Sequence, residues 1–216
     1  MSTNPASRGW LNLKSRDMAL AIDVFDYPGE DKANIIASMW YTSCKGGQRK
    51  MLFLPMPPSA TEIAKYLISL VDREEGDSIS NLKLQKLLYY AQGFHLAIFD
   101  KPLFHEALKK WAHGPVVPQV WHVYKEHGSG PIPVEVIDRN DYSPQIQELL
   151  NEVFQVYGQF SAAKLRNMTH NEPPWLQTED NEVISHDLMK QFFKTLVIED
   201  EEGQEQDQEA ASDSRL

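Results

Sequence analysis

Cysteine is nearly absent: Cys44 is the only one in 216 residues. A lone thiol closes no internal disulfide and excludes a zinc site built on paired cysteines. It fits a reducing compartment. Long apolar runs are missing too. None approaches the roughly 18–20 residues that span a bilayer, and Met1 to Trp10 lack the basic-then-apolar order of a secretory signal. The expectation is a cytoplasmic protein, neither exported nor membrane-embedded. Excess positive charge is also lacking. The net charge of −10 argues against general nucleic-acid binding, which needs a basic face to displace counterions. Gly46-Gly47 lacks the lysine–serine/threonine ending of a phosphate-cradling loop.

What is present is an ordinary globular composition, with 42% hydrophobic and 24% charged residues, so a packed core is expected. The acidity is unevenly spread. Residues 199–216 hold eight acids and one base, Arg215, and no large apolar side chain before Leu216. Such a segment cannot offset the entropy of ordering, so a disordered acidic tail is expected. Residues 1–58 leave two accounts open. Segments 19–27, 35–42 and 51–56 are apolar enough for short strands, with 44–49 as a hairpin connection, giving a small β appendage. Alternatively the natural protein starts at Met56, just before a helix.

Residues 59–198 read as a compact, mainly α domain of about six helices with one or two short strands. Ser59 or Thr61 can cap a first helix, and Ser80 a second that runs to Phe99 and stops at Asp100-Lys101-Pro102. Residues 104–111 read as extended. Pro118 suits the first turn of a third helix closing at Gly128. Ile132, Val134 and Val136 alternate between prolines, which predicts an edge strand over 131–137. Ser143-Pro144 opens a fourth helix ending at Gly158, Ser161 caps a fifth, 171–175 is a rigid turn, and Ser185 caps the last.

The second helix is apolar on more than one side. Leu84, Leu87, Leu88, Ala91, His95 and Ile98 form its core stripe. Opposite them lie Lys86, Tyr89, Tyr90 and Gly93. A glycine inside a helix costs about 1 kcal/mol and is kept where something packs closely. This second face either meets the rest of the domain or is a groove for a partner, and Trp111 before the Gly114-Pro115 bend is a further candidate anchor. The seven histidines form no metal-binding pair. His170 near Glu172 is the nearest approach to an acid–base site. With no nucleophile motif beside it, a turn hydrogen bond is the plainer reading. Neither a catalytic constellation nor a metal or cofactor site is expected.

Two segments, Leu82-Lys83-Leu84-Gln85-Lys86-Leu87-Leu88-Tyr89-Tyr90-Ala91-Gln92-Gly93 and Trp111-Ala112-His113-Gly114-Pro115-Val116-Val117-Pro118, are followed by Thr169-His170 and Pro174-Trp175. From about Thr61 to Leu196 their order and spacing resemble the Panacea, or SocA-like, antitoxin domain of bacteria and phages. Gly114, Pro115, Thr169, His170 and Trp175 then serve as structural motif positions. The resemblance implies a cytoplasmic, non-enzymatic antitoxin that neutralises a cognate toxin encoded beside it by direct contact. It also implies a second role seen in the family, an adaptor delivering the toxin to an ATP-dependent protease. Some relatives carry an added N-terminal DNA-binding module. Residues 1–58 show no such pattern.

Overall fold

In the computed structural model, residues 57–72 and 78–197 are described, together with two short strands at 41–43 and 50–52. The acidic segment 199–216, the expected strand over 19–27 and the break at Gly76-Asp77 lie outside the described residues. The chain divides into two compact units. In residues 12–57, β1 (Tyr41–Ser43) pairs antiparallel with β2 (Lys50–Leu52), Thr42 opposite Met51. The other unit takes in the chain from Pro58 onward and is mainly helical.

Its first helix, α1 (Ala60–Ser69), starts in a reciprocal capping box. The Ser59 hydroxyl accepts from the Glu62 N–H, and the Glu62 carboxylate accepts from the Ser59 N–H at 2.7 Å. The central α2 (Asn81–Phe99) is capped by Ser80 and ends at Asp100, whose left-handed φ of 61° turns the chain. A tight hairpin follows: β3 (Lys109–Trp111) and β4 (Gly114–Val116), with Trp111 opposite Gly114. Segment 181–184 lies along its outer edge. Lys110 N–H donates to the Glu182 carbonyl and Ile184 N–H to that of Leu108. Four helices follow the hairpin: α3 (Pro118–Tyr124), α4 (Pro144–Tyr157), α5 (Ala162–Thr169) and the one-turn α6 (Pro173–Leu176). The last, α7, spans 186–197. Ser143, Ser161 and Ser185 each accept an N–H of the following turn, at the positions the sequence marks.

From Leu84 to Phe94 every residue of α2 is buried, so the helix has no solvent side. The first face packs on α1 and α4. The second is closed by α7, whose Phe193 lies flat over Gly93 in the space that a Cβ would occupy. Tyr89, Tyr90 and Phe94 all meet the Phe193 ring edge-on, with centroids 4.9–6.0 Å apart, and Tyr90 stacks on Tyr157 at 3.6 Å. Two buried glutamines, seven residues apart on α2, fasten loops to it. The Gln85 carbonyl accepts from Val117 N–H, and that of Gln92 from the N–H groups of Leu103 and Phe104, while the Gln92 amide donates back to the Phe104 carbonyl.

Two local expectations differ from the structure. Residues 131–137 form no strand. Proline at 131 and 133 removes alternate donors, Ile132 is buried while Val134 and Ile137 only partly pack on the core, and the Ile132 N–H donates to the Ile79 carbonyl. Val136 is fully exposed. The expected rigid turn at 171–175 becomes the extra helix α6, because Pro173 and Pro174 hold φ at helical values in its first turn.

Gly93→Ala places a methyl inside the Phe193 ring. Destabilisation of about 1–3 kcal/mol is expected from overpacking, despite the roughly 1 kcal/mol that alanine gains in a helix. Urea unfolding reads this. Phe193→Leu in the same chain should recover part of the loss through positive coupling.

Candidate functional site

The polar side chains of this domain converge where α2, the hairpin and the α5–α6 corner meet. Lys86 is the deepest. It is fully buried, and its ammonium donates to the Pro115 carbonyl at 2.7 Å. Burial first, and then the charge of Arg166, bring its pKa down to about 7.

This lysine explains the glycine of the Gly114-Pro115 bend. Gly114 has φ +97°, which L-residues rarely adopt. A Cβ there would also stand 2.8 Å from Lys86 Cε, 2.9 Å from its Nζ and 2.9 Å from Thr169 Oγ1. Thr169, at the end of α5, is buried and donates to the Arg166 carbonyl.

Next comes His170, the C-cap of α5, with its ring stacked on Trp175 at 4.0 Å and 10°. The Lys110 ammonium lies 4.2 Å from the centre of the Trp175 ring, donates to the Thr178 carbonyl and pairs with Asp180 at 3.4 Å. Burial lowers the His170 pKa, and the charges of Arg166, Lys86, His113 and Lys110 lower it further. Buried and without a hydrogen-bond partner among the described residues are Arg166 Nε, His170 Nε2 and Trp175 Nε1.

Glu172 faces the other way, into the tyrosines. Its Oε1 accepts from Tyr90 at 2.8 Å, and the Tyr89 hydroxyl also acts on the same carboxyl. Burial raises its pKa to about 7 against the opposing hydroxyls. The corner is therefore split into a cationic half around His170 and a carboxyl half among Tyr89, Tyr90 and Tyr157.

Most of the residues singled out from sequence thus share one region. Lys86, Tyr89, Tyr90 and Gly93 lie inside the domain rather than along an open groove, and their close company is Phe193, Glu172 and Pro115. Gly114, Pro115, Thr169, His170 and Trp175 form the corner around Lys86. Trp111, like His170 and Trp175, is partly exposed. It meets Trp121 edge-on at 5.5 Å at the rim of the hairpin. His170 and Glu172 diverge and share no hydrogen bond, so the structure does not assemble an acid–base pair from them. Among the described residues, no three potential metal ligands converge and no helix is long and apolar enough to cross a membrane. Arg166 and Lys110 carry no motif signal in sequence. Only the fold brings them beside His170.

Residues 84–176, from the first buried turn of α2 through α6, match the family model described as Antitoxin SocA-like, Panacea domain. Antitoxin SocA of Caulobacter vibrioides (strain NA1000 / CB15N) is 32% identical over 109 residues, covering 45% of this chain. The chain spans 58% of that relative's length. No solved structure matches it.

Two outcomes follow from this corner. Gly114→Ala should cost about 1–3 kcal/mol through the strained backbone, with crowding of Lys86 added. Gly128→Ala, also at positive φ but facing open space, should cost less. Thermal melts compare them. For Glu172, the folded pKa near 7 lies above the unfolded value, so the folded chain binds the extra proton. Its contribution to stability is present at pH 4.5 and is lost as pH rises to about 7. Glu172→Gln should remove that decline in urea titrations across the same window.

Proposed function

From the match of residues 84–176 to the SocA-like, Panacea-domain antitoxin family model and the likeness to Antitoxin SocA, we propose an antitoxin of that family that neutralises a cognate toxin by direct protein contact. The observation that carries this reading is the family match itself, which spans the whole Lys86 corner. The arrangement of that corner supports a binding role. Its histidine is committed to a tryptophan ring and its glutamate to a tyrosine, so neither side chain is poised toward a substrate. A non-enzymatic protein acting in the cytoplasm, with the toxin encoded by a neighbouring gene, completes the proposal.

Trp111 is the candidate anchor. A partly exposed tryptophan beside a second one offers a large apolar area at low entropic cost, as interface hot spots do. Lys86, Tyr89, Tyr90 and Gly93 contribute by fixing the hairpin and the helices behind it. The acidic segment 199–216 favours a second reading, an adaptor that hands the toxin to an ATP-dependent protease. Deleting it would then leave toxin binding intact and stop toxin turnover.

Co-expression with the adjacent gene should rescue growth that the gene alone arrests. Persistent arrest, or a harmless neighbour, contradicts the antitoxin reading. Trp111→Ala should weaken capture of the toxin by about tenfold or more, read by calorimetry, with an unchanged far-ultraviolet circular dichroism spectrum.

A further inference from the structure

Gln92 is buried on α2, and its amide is fixed in orientation. Its Oε1 accepts from the N–H groups of Leu103 and Phe104, at 2.9 and 3.2 Å, so Nε2 is the donor end. One proton of that nitrogen goes to the Phe104 carbonyl at 3.1 Å. The other faces Nε2 of His186, 3.2 Å away. Reversing the amide would set donors against donors at the loop, so His186 Nε2 must accept. An imidazole nitrogen accepts only when it carries no proton. The bond therefore requires neutral His186 in its Nδ1–H form. It is lost in the imidazolium, which has two donors and no acceptor.

His95, on the same helix, is the opposite case. Its Nδ1 donates to the Lys101 carbonyl at 2.6 Å, and that bond survives protonation. His186 is also the first residue of α7, where the helix dipole disfavours a cation. Burial of the ring edge, then the charge of His105, lower its pKa from 6.5 against the pull of Asp187. Other charges on the neighbouring elements are engaged elsewhere. Glu106 accepts from the Ala60 N–H, Lys190 and Lys194 pair with Asp100, and Asp180 pairs with Lys110. Glu182 is exposed on the segment along the hairpin. The outer side of the His186 ring is exposed too, so protons reach it in the folded chain. The helix it starts carries Phe193, which covers Gly93 and meets Tyr89, Tyr90 and Phe94.

We propose that the bond from Gln92 to His186 is a pH-sensitive latch, which holds α7 over Tyr89, Tyr90 and Phe94 while His186 is neutral and loosens it when His186 gains a proton. Protonation leaves a buried Gln92 N–H without an acceptor, and the rest of the amide is too committed to turn and find one. The undocked state, with His186 in water, binds the proton more readily than the docked state. Docking of α7 is therefore complete above the ordinary histidine range and weakens as pH falls through 6.5 and below. Glu172 works in the other direction, since its contribution is lost as pH rises to about 7. The latch goes beyond the antitoxin reading and does not rest on it.

The test is amide hydrogen exchange of the full chain at about pH 7.5 and about pH 5.6, each rate divided by the intrinsic rate at that pH. Protection of α7 should fall by about fivefold at the lower pH, the scale set by one buried donor left unpaired, while the amides of α1 change far less. His186→Gln puts an amide oxygen near the Nε2 position and has no proton to gain, so its α7 protection should not vary with pH. His186→Ala, with no acceptor, should show the loosened α7 at both pH values. Nitrogen NMR of the full chain at the higher pH should find His186 protonated at Nδ1 and bare at Nε2. Unchanged α7 protection in the unsubstituted chain overturns the proposal. So does a His186→Gln chain that keeps the full pH response, a His186→Ala chain as well protected as the unsubstituted one, or a proton on Nε2 at the higher pH.

Discussion

Everything in this domain is arranged around a helix that has no free face. An amphipathic helix leaves one side to water, and its partners need cover only half of it. Here α2 is enclosed from Leu84 to Phe94. Enclosure requires neighbours on every side, and each neighbour has a specific reason to be where it is. Phe193 occupies the hollow over Gly93, and Pro115 offers its carbonyl to Lys86. Tyr157 lies flat on Tyr90. Moving α2 would disturb all three at once.

Polar groups inside such a core act as fasteners. A typical hydrogen bond contributes about 1 kcal/mol net, but a buried donor or acceptor left unpaired costs about 1–3 kcal/mol. Gln85, Gln92 and Lys86 therefore select one position for the loops they hold far more strongly than they add stability. Each binds backbone atoms, so the segments after α2 are located by their chain path. The Lys86 bond goes further. It requires the hairpin to bend at positive φ and leaves no room for a side chain at 114, which links the lysine of one motif to the glycine of the other.

Much of this was legible in the residues, because the signals concerned were local. Serine caps and proline starts placed the helices, and the two-sided apolarity of 84–94 announced that α2 had company on both faces. Gly93 pointed to a close approach. What remained hidden was non-local. Nothing in a one-dimensional pattern says that Phe193 fills that hollow or that Glu172 turns toward tyrosines eighty residues earlier. Nor does it say that Arg166 and Lys110 gather at His170. The strand expected over 131–137 failed for a related reason. Alternation of apolar residues marks a strand only if backbone donors keep meeting a partner, and Pro131 and Pro133 remove donors, so pairing shrinks to a single bridge between Ser80 and Pro131.

The placement of Phe193 has a consequence for the chain as it is made. Synthesis runs from the N-terminus, and α2 leaves the ribosome roughly a hundred residues before the ring that covers Gly93. Until α7 arrives, a strip of tyrosine and phenylalanine along α2 stands open to water and to any chaperone or protease nearby. A product cut short between α6 and α7 would contain every residue of the matched region, 84–176, and still expose that strip. Completion of this fold is thus a late event, and the last helix acts as a seal on work done much earlier in the chain.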